Sequence, residues 1–125
     1  MLFVLTLNAC NLAGFQPTPS PTPELPSVEF LFPANQSTVV ENTDLSLDLV
    51  ARDAGAGIAR IELLADGEKI NEATPKDSTV VPVFRVNMNW LALGVGYHSL
   101  SAVAYRPDGT ASSEALIIVE VVPRP

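Results

Sequence analysis

A hydrolytic site needs a nucleophile, a base within hydrogen-bond reach and a third group that orients the base. His98 is the single histidine in 125 residues, so a histidine-based site has to be built on it. The hydroxyls nearest in sequence are Ser99 and Ser101. Ser99 adjoins His98 in a stretch that reads as a strand, where successive side chains point to opposite faces, so the two cannot meet. No G-x-S-x-G elbow is present. The plainer reading of His98 is a residue at the mouth of a sandwich that pins a turn. Asp53, Asp66, Asp77 and Asp108 fall in expected loops, which raises calcium. Calcium takes six to eight oxygens from carboxylates that converge. Asp53 and Asp108 are weak calcium candidates that could share one end of the fold, with Arg106 and Pro107 standing where further ligands are needed. Loop aspartates ordinarily stabilise turns through their own backbone. No metal or other cofactor is therefore expected. Tyr97 and Tyr105 have outward parity on a strand and are candidate contacts for a ligand such as a sugar, whereas surface aromatics are also common without one. Trp90 shares its parity with Phe84, Val86 and Met88 and belongs in a core.

The remaining reactive side chain is the thiol of Cys10, the only cysteine. It follows the apolar run Leu2–Leu7 in "LFVLTLNAC", with Leu7 three residues before it and Ala9 directly before it. This arrangement resembles the lipobox of bacterial lipoprotein signal peptides. The resemblance implies cleavage before Cys10 and attachment of a diacylglyceryl group to its sulfur as a thioether. Residues 1–9 would then be a short signal peptide, without the Lys or Arg that ordinarily precedes the apolar run. Next comes "QPTPSPTPELPS", residues 16–27. Alternating prolines favour extended polyproline II and prevent helix or sheet ladders. Twelve such residues reach roughly 37 Å. Residues 10–27 thus read as a lipidated cysteine plus a stalk, with the membrane as a partner through Cys10.

Composition narrows the rest. One cysteine excludes an internal disulfide, and the chain suits one domain. Fourteen acidic residues against seven basic ones give a net charge of −7. The basic residues are scattered, so nucleic acid is not an expected partner.

From residue 28 the hydrophobic period becomes that of strands. Leu45, Leu47, Leu49 and Ala51 alternate with Ser46, Asp48 and Arg52. Phe84, Val86, Met88 and Trp90 alternate with Arg85, Asn87 and Asn89. Leu100, Ala102 and Ala104 face inward, as do Ile117, Val119 and Val121. Asp66-Gly67 marks a hairpin into the edge-like "EKINEA". The expected strands are 28–32, 38–40 with 45–52, 58–66, 69–73, 80–90, 97–106 and 114–122. Short strands with turns between them predict an all-β sandwich, because neither sheet can hide its apolar side alone.

The motifs Pro33, Gly57-Ile58-Ala59-Arg60-Ile61-Glu62-Leu63, Asp66-Gly67 and Gly96-Tyr97-His98-Ser99-Leu100 together resemble a bacterial immunoglobulin-like domain. Asn35-Gln36 stands where that family usually has Gly. The resemblance covers nearly all of residues 28–122, with residues 123–125 a tail or the start of a linker. It implies an immunoglobulin-like β-sandwich of about seven antiparallel strands in two sheets. It also implies a non-enzymatic, lipid-anchored module at the bacterial cell surface. Its role would be adhesion, recognition or scaffolding of a protein or glycan partner. The alternative is a spacer or accessory domain, carbohydrate-binding among the options, of a larger secreted or surface enzyme. Pro123 and Pro125 in "VVPRP" lean towards that alternative.

Overall fold

The computed structural model describes residues 24–125. The expected signal segment, Cys10 and the stalk as far as residue 23 lie outside the described residues. Eight strands form the fold: β1 (Ser27–Phe32), β2 (Ser37–Val40), β3 (Asp44–Arg52), β4 (Arg60–Ala65), β5 (Glu68–Ala73), β6 (Val83–Leu91), β7 (Gly96–Tyr105) and β8 (Ala115–Val122). They make two stacked sheets, β1-β3-β6 and β2-β8-β7-β4-β5. The all-β, immunoglobulin-like sandwich expected from the sequence is what the chain adopts.

Alternation does what it should. Leu47, Leu49, Ala51, Met88 and Trp90 from the three-stranded sheet meet Ile61, Leu63, Leu100, Ala102, Ile117, Val119 and Val121 from the five-stranded sheet in one core. Each large side chain so buried contributes about 1.5–3 kcal/mol. Asp66 and Gly67 both adopt left-handed backbone, φ 51° and 83°. That is the geometry which lets a two-residue turn match the twist of β4 and β5.

Two expectations need correction. The single strand foreseen over 38–40 with 45–52 is two strands in different sheets. At the corner between them, the Glu41 amide donates to the Val122 carbonyl and the Asn42 amide to the Ala92 carbonyl, with Asn42 at φ 69°. The chain therefore crosses from one sheet to the other within three residues. Nor is every pairing antiparallel, because β2 runs parallel to β8. β1 lies against β3, and the chain then switches sheets at Pro33–Gln36 without reversing. A strand that changes sheets while keeping its direction meets whatever edge is there. Here that edge is β8.

This course separates the two ends of the domain. Ser27 pairs with Arg52, which pairs with Val83, at the first pole. Val121 pairs with Gly96, and Val122 with Val40, at the second. The ten residues of β7 span the distance between them, about 33 Å.

Candidate functional site

At the first pole the loop after β3 meets the loop after β7. Arg106 donates from Nε to Oδ2 of Asp53 at 2.5 Å and from Nη2 to Oδ1 at 3.3 Å. Asp53 is only 5% exposed. Its Oδ1 also accepts the Gly55 amide. The hydrogen bond from Arg106 holds the Asp53 carboxyl below the usual carboxylate range, against the opposing effect of burial. The same guanidinium donates from Nη2 to the backbone carbonyl of Glu24, the residue that leads into β1. One cation thus straps the incoming chain to the body of the domain. Asp108 lies in the same loop, where its Oδ1 accepts the Thr110 amide at 2.9 Å and draws its carboxyl down in pKa. The two aspartates share a pole, but Arg106 and backbone amides occupy their oxygens. Among the described residues no three His, Cys, Asp or Glu side chains gather to hold a metal ion.

The second pole is built on His98. Nδ1 lies 2.7 Å from Oδ2 of Asp66, and Nε2 lies 2.6 Å from the Gly94 carbonyl. Both neighbours are hydrogen-bond acceptors, an arrangement that favours the imidazolium form, in which both ring nitrogens donate. Its pKa is raised, first by the Asp66 hydrogen bond and then by the Gly94 carbonyl. Burial pushes Asp66 up, but hydrogen bonds from His98 and the Ser99 amide outweigh it and leave the carboxyl lowered. The ring also tilts against Trp90, with centroids 5.5 Å apart. His98 therefore pins the β4–β5 turn to the β6–β7 loop. With both nitrogens engaged it is no base for Ser99 or Ser101, which alternate onto the outer row of β7. Trp90, 7% exposed, is a core residue as its parity foretold.

The tyrosines differ. Tyr97 is 75% exposed on the outer face of the five-stranded sheet. Tyr105 is half-buried, with the Arg60 guanidinium 4.0 Å from its ring centroid. Arg60 in turn joins Glu62 at 3.0 Å and Glu72 at 3.4 Å. One face of Tyr105 is thus already covered. The Arg106 strap is the feature that sequence reading missed. In the sequence Arg106 stands only as an obstacle to calcium, because the residue it meets is 53 positions away and no local pattern pairs the two loops.

A sandwich of this topology, with its poles closed by turn-pinning ion pairs, is an immunoglobulin-like module. A family model described as bacterial Ig domain matches residues 26–102, and the chain belongs to that family. The match includes both sheet switches, before and after β2, whereas Glu24 and Arg106 of the strap lie outside it. Gln36, of the Asn35-Gln36 pair, adopts φ 69°, a backbone conformation that glycine takes most easily. No curated protein sequence matches the chain.

Among solved structures, the fold is similar to the fibronectin(III)-like modules of CbhA from Clostridium thermocellum, with 27% identity and a TM-score of 0.64 over 79% of this chain. The chain spans 47% of the length of that structure. It is also similar to a CARDB domain from Pyrococcus furiosus, solved in complex with di-metal ions, at 15% identity over 79% of this chain and 94% of that one, TM-score 0.62. A third similar structure is the sialic acid binding region of a Streptococcus sanguinis adhesin, at 10% identity over 81% of this chain and 30% of that one, TM-score 0.52. The last two likenesses concern the fold alone.

Proposed function

We propose that the protein is a non-catalytic, lipid-anchored module that holds a recognition surface away from a bacterial membrane. The observation that carries this reading is the pole-to-pole course of the chain. The segment arriving from the stalk is strapped to the first pole by Arg106, and β8 ends at the second pole, the length of the sandwich away. A tether joined through a rigid strap transmits its direction to the domain, which a freely jointed linker would not. The lipobox-like run before Cys10 and the proline-rich stalk supply the anchor and the spacer.

Fractionation of cells expressing the full chain, followed by intact mass, tests the anchor. A membrane-bound species that starts at Cys10 and carries diacylglycerol is expected. A soluble product that retains residues 1–9 would overturn it. The non-catalytic part is tested separately, because hydrolysis abolished by His98→Ala would contradict it. The same pole-to-pole course also suits an in-line spacer in a larger surface enzyme, and the likeness to modules and domains of larger proteins favours keeping this second reading. Loss of a linked enzyme's activity on insoluble but not on soluble substrate, when the domain is removed, would select it.

A further inference from the structure

We infer that the outer face of the five-stranded sheet around Tyr97 is a binding site for a neutral glycan, one pyranose ring stacking on the tyrosine. The inference rests on the surface-module reading above and names its partner class.

Tyr97 is the most exposed large apolar side chain among the described residues. It does not sit on a loop. It projects from β7 in regular register with Glu120 of β8, so the two side chains stand side by side on one face. Gln36 closes the third side, its backbone N–H donating to the Ile118 carbonyl at 2.7 Å. Together Gln36, Tyr97, Ile118 and Glu120 line a shallow depression of about 300 Å³. That is the small end of the range for ligand pockets and is open to solvent along the sheet.

The chemistry of this lining is selective. The Tyr97 ring and Ile118 offer an apolar platform that suits the C–H face of a pyranose. Among the described residues the side chains of Gln36 and Glu120 have no hydrogen-bond or ion-pair partner, so an amide and a carboxylate are free to take equatorial hydroxyls. Asn35 beside them spends its oxygen on the Ile118 amide at 2.8 Å, which fixes the turn and leaves its amide nitrogen unengaged. A tyrosine held on a strand has only two side-chain torsions to fix, so ordering it on binding costs little. Beyond the depression the face continues over half-buried Ser99 towards exposed Leu116, where a linear chain can lie flat.

Charge decides between occupants. Glu120 at the site and a net charge of −7 repel anionic sugars. They also disfavour a second copy of the chain, since face-to-face packing would oppose like carboxylates. A neutral polyhydroxylated chain meets neither penalty.

The test is retention of the full chain on cellulose, chitin and cross-linked dextran, with polygalacturonate as the anionic comparator. Binding to at least one neutral matrix is expected, weakened roughly tenfold or more by Tyr97→Ala and within about threefold of wild type for Tyr97→Phe. Tyr105→Ala, at a ring already covered by Arg60, should bind as wild type does. Thermal melts check that each variant folds. The inference fails if no neutral matrix retains the protein, if Tyr97→Ala binds undiminished, or if polygalacturonate is preferred. Sedimentation that shows a dimer dissolved by Tyr97→Ala would overturn it in favour of a second copy. A membrane-anchored chain that binds no glycan sinks this inference and leaves the module reading intact. A glycan-binding chain found soluble does the reverse.

Discussion

The two poles of the sandwich solve the same problem with different cations. Each ties a loop to a neighbouring turn through a carboxylate, Asp53 at one pole and Asp66 at the other. At the first pole the cation is an arginine, which keeps its charge at every accessible pH. At the second it is a histidine, whose charge changes near neutrality. The arginine also reaches a third element, the chain entering at Glu24, whereas His98 joins loops only. The junction at Glu24 therefore keeps its cation at every accessible pH and loosens only in acid, as Asp53 is protonated. The second pole is held by a bond that weakens as pH rises through the raised pKa of His98.

Four experiments can break or sharpen that contrast. The largest loss of stability is expected from Arg106→Ala, which leaves the nearly inaccessible Asp53 carboxylate without its partner and frees Glu24 together. Its melting temperature should be the lowest of the series. The double variant Asp53→Ala/Arg106→Ala should be more stable than Arg106→Ala alone, and failure to recover would mean that the pair is not the cause.

Gly57→Ala comes next, at about 1–3 kcal/mol. Gly57 adopts φ 86° beside the Asp53 loop, and a Cβ there would lie 2.3 Å from the Val80 side chain. Denaturant melts measure it, and an unchanged midpoint would show that the segment from Val80 to Val81 yields freely.

At the opposite pole, His98→Gln should cost about 1–2 kcal/mol near pH 6, where it removes a charged donor. Its signature is in the pH profile. The folded pKa of His98 is raised above 6.5, so its contribution is complete below that value and fades as pH rises through the raised one. Asp66 is lowered from 3.8, so its contribution is present above that value and fades as pH falls. Wild type should thus lose this increment on the alkaline side, and the variant should not. A wild-type profile equally flat across neutrality would contradict the imidazolium assignment. The Arg106 pole supplies the contrast. Asp53, also lowered from 3.8, releases its stabilisation only in acid.

Gln36→Gly, at the sheet switch between the poles, should give the smallest effect, a gain of about 0.5 kcal/mol. It relieves a left-handed residue at the cost of a more flexible unfolded chain. A loss instead would mean that the Gln36 side chain makes contacts that offset its backbone strain.

Much of this was legible in the residues. Leu45 to Ala51 and Phe84 to Trp90 announced their buried rows, because a strand has a period of two and only one face meets the core. Asp66-Gly67 announced its hairpin, because few residue pairs accept left-handed backbone twice. His98 declared its role by exclusion, since its neighbour Ser99 had to point the other way. The strap at the first pole was not legible in the same manner. Arg106 and Asp53 are 53 positions apart, and nothing local in "YRPDG" or "ARDAGAG" says that the two loops meet.

What the sequence alone determined is therefore the class of structure and the facing of each strand, since hydrophobic alternation and turn chemistry act over a few residues. It also set which tyrosines face outward. Only the tertiary structure decided that the run from Ser37 to Arg52 divides between two sheets, that β2 lies parallel to β8, and that Tyr105 is covered while Tyr97 stands open. Those outcomes depend on which distant edge, loop or guanidinium arrives alongside. Local pattern fixes the direction a side chain faces, and the packed fold fixes what it meets there.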